Sequence, residues 1–187
     1  RQELTEFFTF EVPGFKFMPM YRNRMWDGKI RLFSPATGEI YVGLLEYIKG
    51  FCQKNGIDYI VEKGVENDRS IVRQVVRDFI RSLKPKSGGK SLKVRDYQID
   101  AVHHGISRDR ALLVSPTASG KSLIIYSLVR YYQMMKLKTL ILVPTKSLVE
   151  QMYSDFEDYG WSSDMHCQKI YQGYTTQVTK DVVISTW

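Results

Sequence analysis

Ser115-Pro116-Thr117-Ala118-Ser119-Gly120-Lys121-Ser122 is the stretch that decides the fold of this 187-residue chain. Ala111-Leu112-Leu113-Val114 precedes it and reads as a short apolar strand, and Leu123 to Met135 follows as a buried helix. Gly-Lys-Ser at a strand-to-helix turn is the core of a phosphate-binding loop. The first N–H groups of a helix have no intrahelical partner, and the helix dipole adds positive potential where they point. Gly120 lets the backbone approach a phosphate, Lys121 has the reach for the β- and γ-phosphates, and the Ser122 hydroxyl suits a Mg²⁺ ion. Pro116, Thr117, Ala118 and Ser119 complete the cradle. The general pattern G-x-x-x-x-G-K-[ST] opens on glycine, and Ser115 stands there instead, so the flanks carry the decision.

Downstream, Thr139 to Val143 is a second apolar strand, and Lys146 to Tyr159 is a helix with Leu148, Met152 and Phe156 four apart. Ile170-Tyr171 and Val182-Val183-Ile184 are further strand candidates. Upstream, Tyr97 to Ile106 reads as a helix with Ile99 and Val102 inward. Strands that are apolar throughout and alternate with helices make an α/β fold, with a parallel sheet covered on both faces.

The first half has a different texture. Glu3 to Phe10 reads as a short helix, Lys29 to Phe33 as a half-buried strand after the turn signal Asp27-Gly28, and Glu39 to Val42 as its returning partner. Gly43 to Asn55 is an amphipathic helix, and Ile57 to Glu62 another short strand. Residues 1–65 thus describe a small α+β domain. Asn67 or Asp68 can cap a helix running to Leu83, and Arg69, Arg73, Arg77 and Arg81 form a stripe beside its apolar face. Such a stripe is a solvated edge or a nucleic-acid contact. Lys84 to Lys90, with Pro85 and Gly88-Gly89, reads as a linker, so residues 66–90 are helix plus linker and residues 91–187 the second domain.

Hydrophobic residues make up 43% and aromatics 13%, which describes a folded protein. No apolar run is long enough for a bilayer span, and no signal peptide opens the chain. The two cysteines, Cys52 and Cys167, lie far apart, and His103, His104 and His166 lack ligand spacing, so a zinc site or disulfide framework is not expected. These cysteines suit a reducing cytoplasm. Net charge is +7, which favours a polyanionic partner. Residues 1–90 carry 16 basic against 11 acidic groups, and the remainder 11 against 9, so the excess lies in the first half. There Lys16, Arg22, Arg24, Lys29 and Arg31 interleave with Tyr21 and Trp26. Phosphate pairing with aromatic stacking is one reading of this cluster, and a small core with solvated charges is the other.

Three features flank the loop at meaningful spacings. In Arg95-Asp96-Tyr97-Gln98 the Gln98 amide can pair with an adenine edge. Val143-Pro144-Thr145-Lys146 leaves a strand, and Val182 to Thr186 delivers Thr186 to the same sheet edge, where such folds bind ligands. As an ordered set these resemble the first motor domain of superfamily-two helicases. Arg95-x-Tyr97-Gln98 is similar to the Q-motif and residues 115–122 to motif I, where that family often has Ala or Ser for the first Gly. Pro144-Thr145-x-x-Leu148-x-x-Gln151 resembles motif Ia, and Ile184-Ser185-Thr186-Trp187 the strand that reaches DNA before motif II. The leading half, with Trp26-Asp27-Gly28-Lys29-Ile30-Arg31-Leu32, Gly43-Leu44 and Phe51-Cys52, is similar to the phage members of this family that act in recombination.

The resemblance implies a RecA-like lobe behind a small substrate-engaging domain, and ATP with Mg²⁺ held by Arg95, Gln98 and residues 116–122, Lys121 and Ser122 being catalytic. It implies DNA contact through Pro144, Thr145, Lys146, Gln151 and Thr186, aided by Lys16, Arg22, Arg24, Trp26, Lys29 and Arg31. The implied activity is ATP-driven remodelling of forked and other branched DNA and R-loops in recombination and repair. A monomer in the bacterial host cytoplasm during phage infection is expected. Motif II is not found before Trp187, and the chain starts at Arg1, so a piece of a longer enzyme is expected, binding nucleotide weakly without appreciable turnover. Two other classes fit the bare loop: another phosphate-loop enzyme such as a small-molecule kinase, and a nucleic-acid-binding module with a vestigial loop.

Overall fold

A computed structural model describes residues 1–65, 70–108 and 110–187. The chain divides into two compact units, Arg1–Glu66 and Asn67–Trp187.

In the first unit, α1 (Gln2–Phe7) leads into β1 (Thr9–Glu11), which pairs antiparallel with β2 (Lys29–Arg31). Between them lie a 3₁₀ turn (Phe15–Phe17) and the one-turn helix α2 (Pro19–Arg22). The helix read over Glu3 to Phe10 stops early because β2 needs a partner, and Thr9 to Glu11 supplies it. The strand read over Glu39 to Val42 contracts to one bridge, Phe33 to Ile40, and Val42 enters a 3₁₀ turn that opens α3 (Leu45–Lys54). Ile57 to Glu62 pairs with no strand among the described residues, and Ile60 is 96% exposed: without a paired neighbour there, β propensity has nothing to fit against. Phe8, Phe33, Phe51 and Cys52 are the buried core, with Phe7 beside Phe51 at 5.0 Å between ring centroids.

The second unit is built on a three-stranded parallel sheet in the order β5 (Thr139–Val143), β7 (Val182–Thr186), β6 (Cys167–Ile170). The register sets Val143 opposite Thr186 and Ile170 opposite Ser185, so all three strands end on one line. Helix α6 (Lys121–Met134) is apolar around most of its girth because it is buried on two sides. Leu123, Tyr126 and Val129 join Val149, Met152 and Phe156 of α7 (Lys146–Asp158) and the strand residues Ile141, Val143, Val182 and Ile184. Ile124 faces the other way, into a cluster with Val76 and Ile80 of α4 (Arg73–Ser82) and Ile99, Val102 and Ile106 of α5 (Asp96–Ser107). Burial of each such side chain contributes about 1.5–3 kcal/mol.

Three readings change here. Ala111 to Val114 is extended but pairs with no strand among the described residues, leaving Leu112 85% and Val114 88% exposed. Lys84 to Lys90 is no linker: β3 (Lys86–Ser87) and β4 (Lys90–Ser91) make a hairpin whose tip, Gly88-Gly89, needs positive φ at both residues. The Asp158 carboxylate accepts from the Gly88 N–H at 2.9 Å, and Lys86 N–H donates to the Tyr159 carbonyl at 3.4 Å, which pins the hairpin to the end of α7. The strand read at Ile170-Tyr171 begins earlier, at Cys167, and ends at Ile170. Asn67, Asp68 and Arg69 lie outside the described residues. Arg73 is ion-paired with Asp100 and Arg77 with Asp96 at 3.2 Å, so this part of the arginine stripe staples α4 to α5.

Candidate nucleotide and nucleic-acid site

The phosphate loop runs from Ser115 to the start of α6. Gly120 is the residue before the helix, at φ +80, and its carbonyl accepts the Leu123 and Ile124 N–H groups at 3.1 and 3.3 Å. The N–H groups of the preceding first-turn residues therefore face the cradle. Ala118, at φ +63, adopts a left-handed conformation that non-glycine residues rarely take. Lys121 Nζ donates to the carbonyls of Ser115 at 2.9 Å and Pro116 at 2.6 Å. Its ammonium thus spans the mouth of the loop, as a phosphate-binding lysine must.

The loop is held from α5. Gln98 Nε2 donates to the Ser119 carbonyl at 3.1 Å while Oε1 accepts the Arg95 N–H at 3.0 Å. Both ends of the amide, expected to read an adenine edge, are committed to the protein. A Cβ on Gly120 would collide with Gln98 Nε2, so glycine here answers both to φ and to close approach. Tyr97, given no role in the sequence reading, donates its hydroxyl to the same Ser119 carbonyl at 2.7 Å and accepts from Arg95 Nη1 at 3.1 Å. Ser115 and Ser119 hydroxyls bond to each other across the turn, a use for the residue that replaces the first glycine. A cavity of about 670 Å³ opens beside the loop, lined by Arg95, Tyr97, Leu112, Val114, Pro116 and Thr117 among others. Burial pushes the Tyr159 hydroxyl up to about 12, with nearby Ser122 acting in the opposite direction. These residues fit a nucleotide phosphate chain: donors and an ammonium converge, and the Ser122 hydroxyl stands on the first turn for a divalent ion.

Thr145 is the N-cap of α7, its Oγ1 accepting the Leu148 N–H at 3.3 Å. The strand register sets Val143 opposite Thr186, so Pro144, Thr145 and Lys146 leave the sheet at the end where Thr186 lies. Gln151 is exposed on α7, further along that helix. Lys146 Nζ donates to Gln172 Oε1 at 3.3 Å and lies 5.7 Å from the centre of the Tyr171 ring. The loop after β6 is therefore part of this rim, a contribution the sequence reading missed. Its signal was the aromatic pair Tyr171 and Tyr174 flanking Gly173 directly after a strand.

In the first unit a concavity of about 610 Å³ is lined by Lys16, Tyr21, Arg22, Arg24, Met25 and Trp26, with Asp27 at its side. Trp26 is half-buried, its Nε1–H donating to the Lys29 carbonyl at 2.8 Å. Arg31 is forked onto Asp27 and holds that carboxyl down at a pKa of about 2. Lys16, Arg22, Arg24 and Lys29 are exposed and make no ion pair among the described residues. Cys167 is buried, which pushes its thiol up to about 12, and Cys52 is buried too. The described residues hold no cluster that suits a protein-bound metal and no helix long and apolar enough to cross a membrane.

Comparison with known proteins agrees with this division. Residues 1–62 match the family model described as DNA helicase UvsW, N-terminal. The ATP-dependent DNA helicase uvsW of Enterobacteria phage T4 is 36% identical over 99% of the chain, which spans 38% of that protein. The DNA 3'-5' translocase XPB2 of Sulfurisphaera tokodaii is 29% identical over 54% of the chain, or 20% of its own length. Two solved structures of T4 UvsW superpose on the whole chain. One has TM-score 0.87 at 33% identity with 67% of its own chain covered, the other 0.89 at 35% with 38% covered. Residues 91–187, from the hairpin's last residue through the phosphate loop to β7, match the model of the type III restriction enzyme res subunit, and the chain belongs to that family.

Proposed function

We propose that the protein carrying this chain is an ATP-dependent DNA helicase that remodels forks, Holliday junctions and R-loops during recombination and repair. The observation that carries the reading is the core shared by the loop's helix and the strands that end at the rim. The loop with the Lys121 ammonium opens α6, and Leu123, Tyr126 and Val129 of α6 pack in one cluster with Ile141, Val143, Val182 and Ile184 of the strands that lead to Thr145, Lys146 and Thr186. The helicase and translocase names of the relatives support it.

In this reading ATP binds with its phosphates on the first turn of α6, Lys121 exchanging its loop carbonyls for phosphate oxygens. The Ser122 hydroxyl would hold a Mg²⁺ ion, which would supply charge neutralisation at the phosphates. Arg95 and Gln98 face the base, Gln98 leaving Ser119 to read it. Tyr97 keeps the loop in place when Gln98 lets go. Pro144, Thr145, Lys146, Gln151 and Thr186 grip a DNA backbone, the threonine hydroxyls donating to phosphate oxygens. Residues 1–65 engage the branch point through Lys16, Arg22, Arg24, Trp26, Lys29 and, where Asp27 releases it, Arg31. A monomer acting in the host cytoplasm and RNA–DNA hybrids as substrates complete the proposal.

The test is ATP hydrolysis by the protein containing this chain, with and without forked DNA. Stimulation by the fork, lost in Lys121→Ala, is the expected result. Hydrolysis indifferent to DNA would instead favour a small-molecule kinase or another phosphate-loop enzyme.

A further inference from the structure

The turn that follows β6 brings two tyrosines to the rim. Tyr174 N–H donates to the Tyr171 carbonyl at 2.9 Å, closing a four-residue turn with Gly173 at φ +100 in its third position. Nothing lies within 4 Å of where a Gly173 side chain would start, so the turn stands open to solvent. The Tyr171 and Tyr174 rings are 4.5 Å apart at 59°. Because Ile170 is opposite Ser185 in the parallel register, Tyr171 leaves the sheet level with Thr186.

These rings are held in place. Glu150 on α7 accepts the Tyr171 hydroxyl and, at 2.9 Å, the Lys169 ammonium. Lys169 Nζ is 5.5 Å from the Tyr174 ring centre, and Lys146 Nζ 5.7 Å from that of Tyr171. The acid and one lysine cancel, so the surface is aromatic more than cationic. Tyr174 is 45% exposed, and Trp187, at the end of the neighbouring strand, 80%.

We infer that Tyr174, positioned by Tyr171, Glu150 and Lys169, is a stacking platform for an unpaired nucleobase of a single strand whose phosphates lie along Thr145 and Thr186. The inference rests on the reading of this sheet edge as a nucleic-acid grip and adds to it a contact with the base. A π face takes any base, so the contact is indifferent to sequence. It also releases no counterions, so it is indifferent to salt, unlike phosphate pairing.

The experiment measures binding of a fluorescent single-stranded oligothymidylate to this 187-residue chain over a range of salt concentrations. The same strand with abasic sites serves as comparison. Tyr174→Ala is expected to weaken binding by about 5- to 150-fold, the loss of one base stack of about 1–3 kcal/mol. The slope of affinity against salt should stay unchanged, Tyr174→Trp should bind like the parent, and the abasic strand should bind parent and Tyr174→Ala alike. Thr186→Val reports on the grip itself. If it weakens binding while Tyr174→Ala does not, the platform is overturned and the grip survives. If the chain binds no single strand, or Thr186→Val changes nothing, the grip reading fails and the platform with it. A Tyr174→Ala loss that also flattens the salt slope, or persists on the abasic strand, overturns stacking in favour of a rearranged rim.

Discussion

The phosphate loop and the basic cluster of the first unit both carry positive charge, yet they are built by opposite rules. Around the loop almost every polar group has an assigned partner: Lys121 on two carbonyls, Gln98 and Tyr97 on one, Ser115 on Ser119. In the cluster only Arg31 is tied down, while Lys16, Arg22, Arg24 and Lys29 are exposed without an ion pair among the described residues. The physical demand differs. Stabilising charge that develops on a reacting phosphate needs donors fixed before the event. A polyanion gripped through counterion release needs only net positive charge at roughly the right place, and flexible side chains supply it.

The largest expected effect tests the wired end. Lys121→Ala should lower affinity for a fluorescent ATP analogue, and hydrolysis in the protein containing this chain, by about 10²–10³-fold, the scale of one preorganised donor. Near-normal turnover would break the contrast outright. Gly120→Ala comes next, because it forces a side chain into a left-handed φ and against Gln98. It should cost about 1–3 kcal/mol in urea unfolding of the second unit, and a stability equal to the parent would mean that Gln98 moves aside freely. Reversing Arg22, Arg24 and Lys29 together to glutamate should weaken binding to forked DNA. It should also flatten the salt dependence by about 0.9 per lost contact, up to about 2.7 in the slope, without altering the melting curve. A steep slope retained would place the cluster away from DNA.

The smallest effect sharpens the one wired pair in the cluster. Asp27 is held at about 2, below its ordinary 3.8, first by hydrogen bonding from Arg31. Whatever stability the pair gives is present above pH 3.8 and lost as pH falls through about 2. In Arg31→Ala, the carboxyl chemical shift of Asp27 should titrate nearer 3.8, and an unmoved titration would show that Arg31 does not hold it.

What the sequence determined by itself follows from short-range rules. Gly-Lys-Ser before an apolar helix fixes a cradle at Gly120, and period and capping place α5, α6 and α7 to within a turn. The sheet edge shared by Thr145 and Thr186 was legible because parallel strands end together. The tertiary structure alone decided what depends on partners distant in the chain. Ala111 to Val114 and Ile57 to Glu62 have strand composition but join no sheet among the described residues, whereas Thr9 to Glu11 becomes a strand because Lys29 to Arg31 lies beside it. The apparent linker became a hairpin once Asp158 met the Gly88 N–H. Gln98 turned to Ser119, and Tyr171 and Tyr174 reached the rim through a register between β6 and β7 that no local pattern encodes. Helices and phosphate cradles are made by neighbours in sequence; strands, and the edges they present, exist only where another segment satisfies their backbone.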